Sequence, residues 1–121
     1  MLKRRWLNRQ RREPPLEVHV SAQEEGVIVV ECAGEIDIRT AGRFGEGLRT
    51  ALRATRMLVV DLRRVTRIDS TGIGQIAGAC KRLLPGARLQ IRSEDQRVRI
   101  LLQIAGLGHL AAASARLATE A

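Results

Sequence analysis

Apolar and polar positions along this chain change period several times, and each change marks a new element. Residues 16–20 (LEVHV) alternate at period two, the pattern of a strand with one covered and one wet face. Glu24-Glu25-Gly26 reads as a turn, and 27–33 (VIVVECA) is a β-rich apolar run that predicts a buried strand. Gly34-Glu35-Ile36-Asp37 closes it. Thr40 offers a cap for a helix over 41–54, where Phe44, Leu48, Ala51 and Leu52 fall near one face. Gly42, Gly45 and Gly47 weaken that helix by about 0.8–1 kcal/mol each relative to Ala, so packing must hold it or a close approach must need small residues. Residues 57–62 predict a third, buried strand.

A second helix is expected over 71–84, with Ile73, Ile76, Ala77, Cys80, Leu83 and Leu84 inward and Pro85-Gly86 stopping it. Residues 87–92 (ARLQIR) alternate again and give a fourth strand. Ser93, with Gln96 three residues on, has a capping-box pattern. The third helix then runs from about 94 to 105, with Val98, Leu101, Leu102 and Ala105 inward and Gly106 at its end. Residues 107–110 read as a short last strand. Strands alternating with helices of this length imply an α/β fold with partly parallel pairing. Such sheets place binding residues where strands run into helices. Two loops meet that description, 34–40 and 69–74, and they are expected side by side at one end of the fold.

Length and charge refine this picture. The chain has 121 residues, enough for one domain. Trp6 and Phe44 are its only aromatics, so the core is aliphatic and base-stacking nucleic-acid modules are disfavoured. The net charge of +8 is concentrated: residues 1–12 hold Lys3, Arg4, Arg5, Arg9, Arg11 and Arg12 and no acid, which leaves about +2 for the rest. The body therefore lacks a broad basic face, and direct nucleic-acid binding is not expected. Pro14-Pro15 separates this stretch from the first strand. The expected division is a basic tail or linker over 1–15, a domain over 16–110 and an Ala-rich tail over 111–121. A weak contact of the basic tail with a membrane surface is left open.

Catalytic and metal chemistry find little material. Cys32 and Cys80 lie far apart in different elements, without zinc-ligand spacing, and read as small buried hydrophobes. No metal and no cofactor are expected. His19 and His109 read as surface or packing residues. Ser70 lacks the flanking glycines of a nucleophile elbow. Gly72-Ile73-Gly74 lacks the third glycine and the lysine of a phosphate loop, and reads as close helix–strand packing. No apolar run is long enough to span a bilayer and no secretory signal is recognisable, so a cytoplasmic protein is expected.

What stands out is Asp69-Ser70-Thr71-Gly72, two hydroxyls at a helix N-terminus. Such residues are ordinary caps. They are also phosphate acceptors, and a phosphate there adds nearly two negative charges at the positive end of the helix dipole. Asp37 and Asp69 either stabilise their loops or flank a modified hydroxyl.

Gly34-Glu35-Ile36-Asp37, Val59-Val60-Asp61-Leu62 and Asp69-Ser70-Thr71-Gly72-Ile73-Gly74, followed by 101–110, resemble the STAS domain in its bacterial anti-sigma factor antagonist form. The resemblance implies a mixed four- to five-stranded sheet with helices packed mainly on one side. It also implies a non-enzymatic protein that binds an anti-sigma factor with serine kinase activity and so frees a sigma factor. The kinase phosphorylates the hydroxyl after the motif aspartate, here Ser70 with Thr71 as a second candidate, and a phosphatase reverses it. The implied partner face holds Asp37, Thr40, Asp69, Ser70, Thr71, Gly72, Ile73 and Gly74. Thr71 and Gln75 depart from the usual serine and aliphatic residue. The alternatives are a STAS subunit of a membrane lipid or anion transport assembly, a stress-signalling scaffold, and nucleic-acid binding through the tail.

Overall fold

The computed structural model describes residues 15–53 and 55–111. Strand β1 (Leu16–Ala22) passes through a 3-10 turn (Glu24–Gly26) into β2 (Val27–Ile36). Helix α1 (Ala41–Leu52), strand β3 (Met57–Ile68), helix α2 (Ser70–Lys81), strand β4 (Arg88–Arg92) and helix α3 (Gln96–Ile104) follow in turn. The sheet order is β1-β2-β3-β4, with β1 antiparallel to β2 and the other two pairs parallel.

Sequential parallel neighbours need a crossover, and right-handed crossovers in one direction put their helices on one face. Val30, Cys32, Leu58, Val60, Leu62, Leu89 and Ile91 form that face of the sheet and share a core with Phe44 and Leu48 of α1, Ile73 and Ile76 of α2, and Val98 and Leu102 of α3. Helix α1 also packs on β1, where Gly47 lets Val18 come close: a Cβ on Gly47 would sit 2.7 Å from the Val18 methyl. The opposite face carries His19, Ser21, Val29, Glu31, Asp61, Arg63 and Arg92 around an open depression of about 320 Å3.

The four strands and three helices stand where the periodicity puts them, with differences at the ends. Strand β3 continues six residues beyond 62. The ladder between β2 and β3 shifts register between Glu31 and Ala33 and again between Gly34 and Glu35. Those bulges break the period-two alternation, so 63–68 reads as a charged arm although Val65 and Ile68 are buried. Helix α2 ends at Lys81, where the Arg82 N–H donates to the carbonyl of Ala79 and the Leu83 N–H to that of Cys80, and Leu84 is left exposed.

Three expectations are corrected. Residues 107–110 are not a strand: the Leu107 N–H donates to Leu102 O (2.7 Å) around Gly106 at φ 78°, and a helical turn starts at Gly108. Leu107, Leu110 and Ala111 have the spacing of a helix face, and the last two are buried. Ser93 does not cap α3; Asp95 does, accepting from the Arg97 N–H (2.9 Å), while Ser93 Oγ accepts from the Asp95 N–H. Thr40 stands at the N-cap position of α1 without capping it. Its hydroxyl instead donates to Glu35 O (2.8 Å) and accepts from the Asp37 N–H (3.0 Å), which staples the β2–α1 loop.

Candidate functional site

The carboxyl ends of β2 and β3 meet at one end of the sheet. Ile36 pairs with Ile68, and one residue on the Asp69 N–H donates to Ile36 O at 3.1 Å. That bond ties the β2–α1 loop to the start of α2 and brings Asp37 and Asp69 to one surface.

At the head of α2 the two hydroxyls have different roles. Asp69 is extended (φ −118°, ψ −171°) and caps the helix: its Oδ1 accepts from the Thr71 N–H at 2.9 Å. The Thr71 hydroxyl donates to the same oxygen. Thr71 is thus half-buried and bonded into the cap. Ser70 is exposed, and its Oγ has no hydrogen-bond partner among the described residues. One hydroxyl is committed to structure; the other faces solvent at a helix N-terminus, where the dipole favours negative charge. The Thr71 hydroxyl, with the backbone N–H groups of Thr71 and Gly72, holds the Asp69 carboxyl below its ordinary pKa against the opposing push of Asp37. Asp69 is therefore a carboxylate at neutral pH.

The residues behind the cap set its height above the sheet. Gly72 lies on the core side of α2, where a Cβ would come within 2.6 Å of Ile36 Cγ2 and 2.8 Å of Ile68 Cγ1. Ile73 is buried. Both, with the stapling Thr40, support the surface from beneath. Gly74 is exposed, with nothing within 4 Å of its Cβ position. Of the eight sequence-predicted residues, Ser70 and Gly74 are exposed, Asp37, Asp69 and Thr71 are half-buried, and Thr40, Gly72 and Ile73 are inside.

Sequence reasoning missed Arg39 and Ile38. The Arg39 guanidinium forks onto Asp37, with Nη2 2.7 Å from Oδ2 and Nε 3.2 Å from both oxygens, and Nη2 also reaches Glu35 at 3.1 Å. These bonds hold the Asp37 carboxyl below its ordinary range, with Arg67 adding to the effect. The pair is solvent-exposed, so its value is orientation more than stability. Asp61–Arg63 and Asp95–Arg97 repeat the device, each aspartate accepting from both the backbone and the guanidinium of the arginine two residues on. The Asp-x-Arg spacing at 37, 61 and 95 was the signal in the sequence. Ile38, beside Asp37, is 80% exposed and supplies an apolar point on a polar surface.

A depression between β3 and α3, lined by Arg67, Ile68, Asp95 and Arg97 among others, holds only about 80 Å3, well below the volume of sites for drug-sized ligands. Among the described residues there is no group of three or more His, Cys, Asp and Glu side chains that could hold a metal ion, and no helix long and apolar enough to cross a membrane.

The STAS domain model matches residues 20–119. The chain belongs to the STAS domain family. Within that family its similarity is to anti-sigma factor antagonists. It is 33% identical over 95 residues to the anti-sigma-B factor antagonist of Bacillus subtilis (strain 168), a match that covers 78% of this chain and 87% of that protein. Among solved structures, an anti-sigma factor antagonist from Mycobacterium paratuberculosis superposes with a TM-score of 0.71 at 25% identity, over 76% of this chain and 79% of that one. The unphosphorylated form of the anti-sigma factor antagonist SpoIIAA shares the fold, with a TM-score of 0.68 at 22% identity over 78% of this chain and 84% of that one. The mixed sheet with its helices on one face is thus the STAS architecture.

Proposed function

We propose that this protein is a cytoplasmic anti-sigma factor antagonist whose partner is an anti-sigma factor with serine kinase activity, and that phosphorylation of Ser70 switches binding off. A phosphatase restores the binding form. The domain over 16–110 carries the activity, and 1–15 and 111–121 extend it. The observation that carries this reading is the division of labour between the hydroxyls: Thr71 is bonded to Asp69 and Ser70 is free at the surface.

Each residue then has a physical role. Ser70 is the acceptor. Asp69 and Thr71 form the cap that presents it. Asp37, oriented by Arg39, with Ile38 and Gly74 around it, makes the contact surface; Thr40, Gly72 and Ile73 hold that surface in place. A neutral hydroxyl at the centre of a protein interface costs little. A phosphate carrying nearly two charges must be desolvated there, beside the carboxylates Asp37 and Asp69, which lowers affinity by orders of magnitude. SpoIIAA, of the same fold, has been solved in a phosphorylated form as well, in line with such a switch.

The test is binding of the purified partner to two variants. Ser70→Ala is expected to bind like the unmodified protein and Ser70→Asp at least about tenfold more weakly, with both folded. Equal affinities of the two variants contradict the proposal.

A further inference from the structure

An open sheet has two edges, and here only one of them is guarded. Strand β4, at one edge, is five residues long with an arginine at each end, Arg88 and Arg92, the kind of charge that keeps edge strands from pairing. Strand β1, at the other, runs seven residues without a lysine, an arginine, a proline or a bulge. Its one acid, Glu17, lies near its start. The direction of every backbone group on β1 follows from its two ends. The Glu35 N–H donates to Pro15 O at 2.6 Å and the Gln23 N–H to Val27 O at 2.7 Å, and the register between them is unbroken. Bonded and non-bonded residues alternate along an antiparallel pair. Residues 15, 17, 19, 21 and 23 therefore turn their backbone groups towards β2, while Leu16, Val18, Val20 and Ala22 turn theirs outward.

One of these outward groups is taken: Arg43 Nη1 of α1 donates to Leu16 O at 2.8 Å. Among the described residues nothing bonds to the N–H and C=O groups of Val18, Val20 and Ala22. The side chains add to the opening, since Val20 is 40% exposed. We propose that β1 pairs, antiparallel, with β1 of a second copy of this chain about a two-fold axis at Val20.

Arg43 selects that register. An axis at Val20 joins Val20 to Val20 and, on each side, Val18 to Ala22: three residue pairs with two bonds each, which use every open group on those residues. An axis at Val18 or His19 brings Leu16, already held by Arg43, into the ladder. An axis at Ser21 sets Val18 opposite Glu24, outside the strand. Charge agrees with the choice. Gln23 continues the extended backbone (φ −101°, ψ −171°), so Leu16 stands opposite Glu24 of the second copy. Glu24 is exposed, and Arg43, beside Leu16, has no ion-pair partner among the described residues. The two-fold makes that contact twice. On the helix face the two Val20 side chains cover each other. One strand from each copy makes a narrow seam, so the dimer is weak and reversible. The seam lies two strands from β3 and leaves the head of α2 open, so each dimer carries two Ser70 surfaces. Pairing at β1 does not depend on what happens at Ser70.

The test is sedimentation equilibrium of the full chain from about 10 µM to about 1 mM, where the mean mass is expected to rise from one chain towards two. Two variants break the seam. Val20→Pro removes an outward N–H that β2 does not use, and Val20→Lys sets like charges across the axis. Both are expected to keep the circular dichroism of the native chain and to sediment as one chain. The register is read in His19→Cys/Ser21→Cys, made in a Cys80→Ala background. Residues 19 and 21 of opposite copies form a non-hydrogen-bonded pair, whose Cα atoms lie about 4.5 Å apart and within disulfide range. Mild oxidation is expected to link position 19 of one copy to position 21 of the other, as peptide mapping will show. A chain that stays single up to about 1 mM overturns the proposal. So does a dimer that persists in a folded Val20 variant, or one that gives no bridge between positions 19 and 21.

Discussion

At the scale of single residues the account turns on which hydroxyl is free. Thr71 cannot be exchanged for Ser70, because its hydroxyl and its N–H both end on Asp69 Oδ1. Thr71→Val removes the side-chain bond and leaves Ser70 in place. It is expected to cost about 0.5–1.5 kcal/mol by urea denaturation and to leave phosphorylation on Ser70. Gly72 is the other residue with no substitute. A Cβ there meets Ile36 and Ile68 from a packed helix, and overpacking of that kind costs about 1–3 kcal/mol. Gly72→Ala is expected to lower the denaturation midpoint accordingly; an unchanged midpoint means that α2 does not sit as close to the sheet as described.

At the scale of elements, the head of α2 carries both the proposed acceptor, Ser70, and the cap that presents it. Asp69→Ala removes the cap and is expected to cost about 1 kcal/mol. It also frees the first turn, so phosphorylation of Ser70 should slow more than stability alone explains, as rates on the folded variant will show. Gly74 is exposed with open space above it, so Gly74→Ala should raise stability by up to about 1 kcal/mol through helix propensity. If a partner lies against this face, the same change should weaken its binding. The elements themselves were legible in the sequence because four strands and three helices keep clean periods. What was not legible depends on contacts between distant segments. The end of β3 is hidden by two bulges in its pairing with β2. The role of Thr40 is set by carbonyls across its own loop, and the helical turn at Gly108 by the bond from Leu107 back to Leu102. The DSTG segment was legible as a candidate site, but only its geometry separates Thr71, bonded to the Asp69 cap, from the exposed Ser70.

At the scale of the whole molecule, charge and pH response follow from the same devices. The carboxyls of Asp37, Asp61, Asp69 and Asp95 are all held below their ordinary pKa; burial opposes this at Asp61, where the hydrogen bonds of Arg63 prevail. A carboxyl whose folded pKa is depressed contributes stability above its unfolded value of about 3.9, and loses it as pH falls through the folded value. Unfolding free energy is therefore expected to be flat from about pH 7 to pH 5 and to fall below about pH 4. Asp69→Asn should flatten part of that fall. On the alkaline side burial, with help from Asp61 and Glu31, pushes the Cys32 thiol up to about 12. Its unfolded value is near 9, so stability should decline as pH rises from there towards 12, and less so in Cys32→Ala. The surplus positive charge lies in the first twelve residues of the sequence.

The central claim is that Ser70 is the residue through which this protein is switched. The most direct measurement is intact mass, followed by peptide mapping, after the purified protein meets ATP and each candidate anti-sigma kinase of its own genome. The account predicts a gain of one phosphate group, mapped to Ser70 and absent from Ser70→Ala. A mass unchanged by every such kinase, or a phosphate that maps to Thr71 with Ser70 bare, contradicts it.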